Sequence, residues 1–522
     1  MNTVGKIVAS VVSLLLVVGI VIGLVLNNHQ HKKEQTPTST SMKPVTSFCE
    51  PTTYKDLCAK SIGEVAKNES ATGKATMVEL ESTKQKAGTV QELVDYALDA
   101  LNESITMIGD KDVRSLSDIV DELLNFLGGV NAFQTTCVDN FDNAELKKQI
   151  QDIMTNSNQL TDNVINIVAD MFNILKSLNV SSTPDSIKLN SQRRLLAVHG
   201  EANNGYPSWF PAADRELLGK VGKTRLPNAV VAKDGSGQFR TITDALNAMP
   251  KAFRGRTKNF LVIYGDGPGR TIVTGSDNKG IRNTQTMSTA TFASVAKGVV
   301  IKSMTIRNTA GPEAHQAVAL RVQGDMTAVF DCSLEGYQDT LYYHTYRQFY
   351  RNCAISGTVD FIFGEGSAMI QTSTIVVRKP GRGQSNTVTA DGNEKNGLNV
   401  GLVIHNSRIV PELALAPERF AFKTYLGRPW RAIATTILLR CELGDFIRPE
   451  GWLQWQGEGF HNTCNYGEFA NVGPGAGTNM RDKSFKRWRV LSPQEADRYT
   501  LKNFIKHSDS WLKNIVPFNG DI

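Results

Sequence analysis

Two aspartates, Asp339 and Asp360, lie 21 residues apart in Gly336-Tyr337-Gln338-Asp339-Thr340-Leu341-Tyr342 and Asp360-Phe361-Ile362-Phe363-Gly364. Carboxyls held side by side do not ionise alike. One is driven toward the neutral acid while the other stays charged, which is the division of labour that acid, base and nucleophilic chemistry needs. Cys332 and Cys353 share the offset, and so do Gly336 and Gly357. Equal offsets across strand-like residues predict a repeating unit of that length, with equivalent positions stacked in neighbouring strands. Parallel strands run about 4.8 Å apart, within the separation that a disulfide accepts. The spacing therefore predicts a Cys332–Cys353 staple from one coil to the next and places the two aspartates side by side. Each Asp precedes an apolar run, Leu341-Tyr342-Tyr343 or Phe361-Ile362-Phe363, and is expected at a strand start rather than at a loop tip. Gln316 lies 22 residues before Gln338, so two amides join two carboxyls on one face.

The elements that position these groups begin near residue 226. From there, short β-branched runs such as Val299-Val300-Ile301, Thr327-Ala328-Val329-Phe330 and Ala368-Met369-Ile370 alternate with Gly and Asn turns. Strands recurring without amphipathic helices between them favour a parallel β-helix. The preceding part differs. Over 47–180, Val90, Leu93, Val94, Ala97, Leu98 and Leu101, and again Leu116, Ile119, Val120, Leu123 and Leu124, follow helical spacing, which predicts an all-α bundle. Residues 34–46 are a polar linker, and 181–225 a second linker carrying Arg193-Arg194-Leu195-Leu196.

Ile7 to Leu26 is uncharged and long enough to span a membrane, so residues 1–33 are expected to act as a signal peptide or signal anchor. Either sends the rest of the chain into the secretory lumen, in keeping with sequons at Asn68, Asn102 and Asn179. Seven cysteines leave one without an intramolecular partner. Cys49 and Cys58 are close enough to clip a hairpin, Cys137 is solitary, and Cys441 with Cys464 is an open pairing. The net charge of +6 suits retention on a polyanion. No interleaved basic and aromatic nucleic-acid module is present, and the absence of Gly-x-Ser-x-Gly argues against an α/β-hydrolase. His29 and His31 flank the apolar segment without partners, so no metal or cofactor is expected. Gly265-Asp266-Gly267-Pro268-Gly269 is followed by no helix and is not read as a phosphate loop.

Four motifs in order, His315-Gln316-Ala317-Val318-Ala319-Leu320, the Asp339 and Asp360 segments, and Tyr425-Leu426-Gly427-Arg428-Pro429-Trp430, together resemble plant pectin methylesterases. Val231-Ala232-Lys233-Asp234-Gly235-Ser236-Gly237 and Gly473-Pro474-Gly475-Ala476 resemble that family's ends. The helical region, with Cys49, Cys58 and Thr136-Cys137-Val138-Asp139-Asn140-Phe141, resembles its inhibitor-like pro-region, and Arg193-Arg194-Leu195-Leu196 its processing motif. The resemblance implies a right-handed parallel β-helix over 226–522, an all-β catalytic domain, behind a four-helix-bundle pro-domain over 47–180.

It implies a secreted enzyme of the cell wall or apoplast, with a membrane-anchored precursor as the variant form. The partners would be methyl-esterified homogalacturonan, pectinesterase-inhibitor proteins and a protease acting at the dibasic linker; nucleic acid is not expected, and membrane contact is expected only through the N-terminal segment. Residue by residue, Asp360 would be the nucleophile on the C6 methyl ester, and Arg428 its ion-pair partner. Asp339 would protonate the departing methoxide and then act as base. Gln338 and Gln316 would donate to the oxyanion. Thr286, Gln316, Arg428 and Trp430 would hold the sugar chain.

The chain departs from this pattern in three places. Leu261-Val262-Ile263-Tyr264 runs straight into Gly265, omitting a stretch close to one coil, so neighbouring coils are expected to meet across a gap or repack. Ser373 and Ser407 stand where a second cysteine pair is common, and the usual partner of Cys137 is missing. The competing reading is a catalytically weak wall-binding or inhibitor-like protein, made so by the lost coil. Polygalacturonase, also a carboxylate enzyme on a β-helix, is set aside because its Asn-Thr-Asp, Asp-Asp and Gly-His-Gly motifs do not occur.

Overall fold

The computed structural model describes residues 84–109, 119–141, 144–171, 173, 201–202, 206–207, 227–248, 261–281, 284–513 and 515–521. The apolar segment 7–26, the linker 34–46, Cys49, Cys58 and Arg193-Arg194-Leu195-Leu196 lie outside the described residues. Among the described residues no helix is long and apolar enough to cross a membrane. The chain divides into two units, 1–193 with 393–400, and 194–392 with 401–522.

In the second unit, alternation of side chains along each short strand sends every second residue inward. Stacked coils turn those residues into ladders. Ile301, Val329, Tyr350, Ile370, Ile404 and Leu438 follow one another in register along a nine-stranded parallel sheet. Ile306, Leu334, Ile355, Ile375, Ile409 and Leu443 do so along a seven-stranded sheet. A six-stranded sheet supplies Leu320, Leu341 and Ile362. All these side chains are buried in one core, each contributing about 1.5–3 kcal/mol of transfer free energy. Three parallel sheets around one apolar interior make the expected β-helix.

The nine-stranded sheet is covered on its outer face as well. Val300, Ala328, Phe349, Met369, Val403 and Ile437 form a second cluster with Leu501, Phe504, Trp511 and Leu512. Those last four belong to the short helices Leu501–Phe504 and Ser508–Leu512, which follow Pro493–Asp497.

The shortened first coil does not leave a gap. Val262, Ile263 and Tyr264 pair in register with Val300, Ile301 and Lys302, and Ile272 to Gly275 pair with Thr305 to Asn308. Gly265 makes the turn between them, its amide donating to Lys302 O at 3.0 Å. A Cβ there would lie 2.5 Å from Thr271 Cβ and 2.8 Å from Ser303 O, so only glycine fits. This first coil lies at an end of the stack, where Tyr264 and Ile272 stay 42% and 41% exposed.

The first unit contains the helices Lys84–Gly109, Val120–Asp139 and Ala144–Ala169. Leu93, Leu101, Leu127, Val130, Phe133, Val164 and Ile165 are buried, as the helical period predicts. Gln134 Nε2 donates to Ser157 Oγ and Thr161 Oγ1 inside the bundle. Cys137 is a buried free thiol, pushed up to about 12 by burial. Asn102 of the second sequon is exposed. Residues 393–400 group with these helices rather than with the strands flanking them in sequence: Lys395 pairs with Asp162 at 2.8 Å, and Thr135 Oγ1 donates to Glu394 at 3.2 Å.

Candidate active site

Asp339 and Asp360 stand two residues ahead of the strands Leu341–Tyr343 and Ile362–Gly364. They are not the first strand residues but the corner residues before them, in left-handed backbone with φ of 64° and 49°. Side chains other than Gly, Asn and Asp rarely take this conformation, and it collects at functional sites. Asp339 N donates to Val359 O at 3.1 Å, while Leu341 and Ile362 are register partners, so the two aspartates occupy equivalent positions on adjacent coils.

The Asp360 carboxylate is gripped bidentately by Arg428, Nε to Oδ1 at 2.9 Å and Nη2 to Oδ2 at 2.6 Å. Arg428 is placed by its own amide, which donates to Thr389 O at 3.0 Å, and its guanidinium lies 4.3 Å from the Trp455 ring centroid. Of the other bidentate pairs among the described residues, Arg347–Asp325 and Arg481–Glu468 are sealed inside the fold with every partner at 3% exposure or less, while Arg419–Asp445 lies at the surface, 31% and 43% exposed. Arg428 is 24% exposed. The Arg428–Asp360 pair lies between these two cases, its carboxylate buried at 8% exposure and its guanidinium reaching solvent.

Asp339 has no such cation in contact. Burial, and then the charge of Asp360, push its carboxyl well above the usual carboxylate range, only partly opposed by Arg428 and Lys279. The Arg428 guanidinium is shifted the other way from what its burial alone would give, because Asp360 and then Asp339 hold it charged. Burial and the neighbouring charge thus favour the neutral form of Asp339, one coil from an Asp360 gripped by the Arg428 guanidinium.

The 22-residue step from Gln316 to Gln338 has a visible cause. Ala317 N donates to Gln338 O, yet Ala319 N and Leu320 N both point at Thr340 O, at 2.9 and 3.2 Å. That doubled contact absorbs the extra residue, and the regular 21-residue register resumes at Leu320 and Leu341. Both glutamines are half-exposed. Trp430, half-buried, meets Phe363 edge-on at 5.9 Å, and Phe363 stacks on Tyr342 at 4.3 Å, giving an aromatic track beside the carboxyls. Thr286 lies in the short turn Thr286–Thr289, its carbonyl accepting from Thr289 Oγ1.

Cys332 and Cys353 stack one coil apart as the spacing requires, but they are free thiols. Each donates to backbone carbonyls instead, Cys332 to Phe330 O and Cys353 to Arg351 O, both at 3.3 Å, and burial pushes Cys332 up to about 11. The expected staple is corrected to a thiol ladder. Ser373 and Ser407 continue it, Ser373 Oγ accepting from Cys353 N and Ser407 Oγ from Ser373 N, both at 3.1 Å. Cys441 and Cys464 are likewise free and buried.

Sequence reasoning missed Thr387. Its hydroxyl donates to Asp360 Oδ1 at 2.6 Å and accepts from Asp360 N at 2.8 Å. It lies 27 residues past Asp360 because the intervening coil carries a longer loop, so no constant offset points to it.

Comparison with known proteins bears on what this arrangement does. Residues 254–509 match the Pectinesterase family model, and 43–167 match the plant invertase/pectin methylesterase inhibitor model. The chain is 37% identical to Pectinesterase 4 of Arabidopsis thaliana over 96% of its own length and 97% of the relative's. It is 36% identical to a probable pectinesterase/pectinesterase inhibitor of Brassica napus over 98% of each. The chain belongs to the pectinesterase family. Among solved structures, the pectin methylesterase from carrot superimposes with a TM-score of 0.54 at 39% identity, over 57% of this chain and 99% of that one. The β-helix, the helical inhibitor-like region and the enzyme class read from the motifs all agree with these findings. The protein is a pectinesterase, a carboxylic ester hydrolase.

Proposed function

We propose that this pectinesterase demethylates homogalacturonan through an acyl intermediate on Asp360. Arg428 keeps Asp360 ionised and oriented, so the carboxylate attacks the C6 carbonyl carbon. The carbonyl electrons move to oxygen, where the amides of Gln338 and Gln316 donate hydrogen bonds. Collapse expels methoxide, which leaves as methanol with the proton of Asp339. The resulting anhydride is opened by water, which gives its proton to Asp339 as the Asp360 carboxylate departs. The sugar chain lies over Trp430 and the Phe363–Tyr342 track, and Thr286 is retained only as a more distant sugar contact.

The observation that carries this reading is the split pair: Asp339 is buried and driven toward its neutral form, one coil from an Asp360 gripped by Arg428. The experiment is methanol release from methyl-esterified homogalacturonan. Release without new reducing ends supports an esterase; reducing ends without methanol would overturn it. The register pairing of the first coil with the second favours this reading over a catalytically weak wall-binding protein.

The finer assignments follow the same reading. Residues 1–33 direct secretion to the cell wall, and cleavage at Arg193-Arg194-Leu195-Leu196 separates the pro-region from the enzyme. The pro-region restrains activity until then. The enzyme is also a target of pectinesterase-inhibitor proteins. Changing both arginines to Ala should block maturation, and an unchanged mature size on a gel would contradict it.

A further inference from the structure

We infer that Thr387 is a positioning residue that fixes which oxygen of Asp360 attacks. The inference rests on the proposal that Asp360 is the nucleophile.

Arg428 alone does not distinguish the two carboxylate oxygens, since it gives one N–H to each. Thr387 breaks that tie. Its hydroxyl hydrogen goes to Oδ1, so Oδ1 accepts two hydrogen bonds and Oδ2 one. An oxygen with two donors has the less available lone pair, and Oδ2 is left as the attacking atom. Oδ2 forms the bond to the ester carbon, and the carbonyl pair moves to the substrate oxygen. Methoxide then leaves with the Asp339 proton. Oδ1 becomes the carbonyl oxygen of the anhydride, and when water opens it the pair returns to the carboxylate. Throughout, Thr387 and Arg428 Nε hold Oδ1 in place.

The same hydroxyl also fixes the backbone. Its oxygen accepts from Asp360 N, closing a small ring between one side chain and one residue, and Asp360 sits at φ of 49°. A left-handed Asp at a corner needs its amide satisfied inside the fold. Thr387 is 1% exposed and is anchored through its own amide to Thr358 O at 3.1 Å. It has one donor and two lone pairs, enough for both bonds to Asp360.

The test compares the full-length wild-type chain with Thr387→Val, Thr387→Ser and Asp360→Asn, each checked for wild-type melting temperature, in methanol release. Thr387→Val keeps the shape and removes both bonds; Thr387→Ser keeps both bonds. The inference expects kcat of Thr387→Val to fall about ten- to hundredfold, as for loss of a charge-assisted hydrogen bond, with KM within about twofold and Thr387→Ser within about threefold of wild type. A folded Thr387→Val with wild-type kcat, a loss confined to KM, or a Ser variant as impaired as Val would each overturn it. Should Thr387→Val not fold, Thr387→Cys, whose thiol is a weak donor of similar size, takes its place with the same expected and overturning results. The Asp360→Asn arm separates the two claims. If that variant is inactive while Thr387→Val is unimpaired, the positioning role fails alone; if it keeps activity, the nucleophile assignment fails first.

Discussion

Left-handed residues turn corners all along the β-helix, and two sets of them are put to different use. Between the nine-stranded and seven-stranded sheets, Ser303, Asp331, Asn352, Thr372, Asn406, Arg440 and Ala470 each turn one corner with φ near 50°. Between the seven-stranded and six-stranded sheets, Asp339 and Asp360 of two adjacent coils do so, one coil after the exposed His315 with φ of 56°. The first row tolerates many side chains and is half-buried or exposed, with Asn352 bonded to Asp331 at the surface. The two aspartates are buried, 7% and 6% exposed, and each is met by another group's charge or hydrogen bond. A single-residue corner is a cheap way to turn a coil when the side chain faces water. The same corner buried under a cation and a hydroxyl aims a carboxylate at a fixed point. The backbone device is shared, and burial with specific partners is what separates a corner from a site.

Asp339→Asn breaks the comparison most strongly on the catalytic side. It removes the proton that methoxide takes, and kcat should fall by roughly 10²–10⁴-fold. The same variant should gain stability, with a definite pH dependence. The folded state raises the Asp339 carboxyl above its unfolded value, so it binds more protons than the unfolded chain as pH rises, and stability is lost through that window. Thermal melts should show Asp339→Asn more stable than wild type at neutral pH, with the gap shrinking below about pH 4, where the carboxyl is protonated in both states. A gap that widens on acidification would contradict the assignment.

Arg428→Lys keeps the charge and loses the fork, so Asp360 stays ionised but unaligned. Steady-state kinetics should give a kcat lower by about ten- to hundredfold. At the structural corner, Asn352→Gly should leave methanol release unchanged and shift stability by less than about 1 kcal/mol, because glycine takes the left-handed conformation freely. A large loss of activity there would erase the distinction between the rows. In the helical unit, Lys395→Glu sets a like charge against Asp162. If the intact pro-region restrains activity, unprocessed full-length chain carrying it should release methanol faster than unprocessed wild type, and equal rates would count against that restraint.

How much of this was legible depends on loop lengths. Where consecutive corners carry no insertion, the offset stays at 21, and Asp339, Asp360, Cys332 and Cys353 could be stacked by counting. Where a loop lengthens, strand pairing is preserved while the count is lost: Ile362 pairs with Thr389 and Ser367 with Gly401, at different spacings. Arg428 was therefore found through its motif, and Thr387, in no motif singled out, was not found. For the first coil two outcomes were expected, a gap or repacking, and the pairing shows the second, with Gly265 making the turn. The thiols were placed correctly and bonded wrongly, since stacking does not fix where each sulfur points.

The central claim is that the buried corner at Asp360 supplies the nucleophile, and its most direct test is methanol release by full-length Asp360→Asn with a wild-type melting temperature. The account requires release to fall to the background rate of substrate without enzyme. Release within about tenfold of wild type by the folded variant would contradict it.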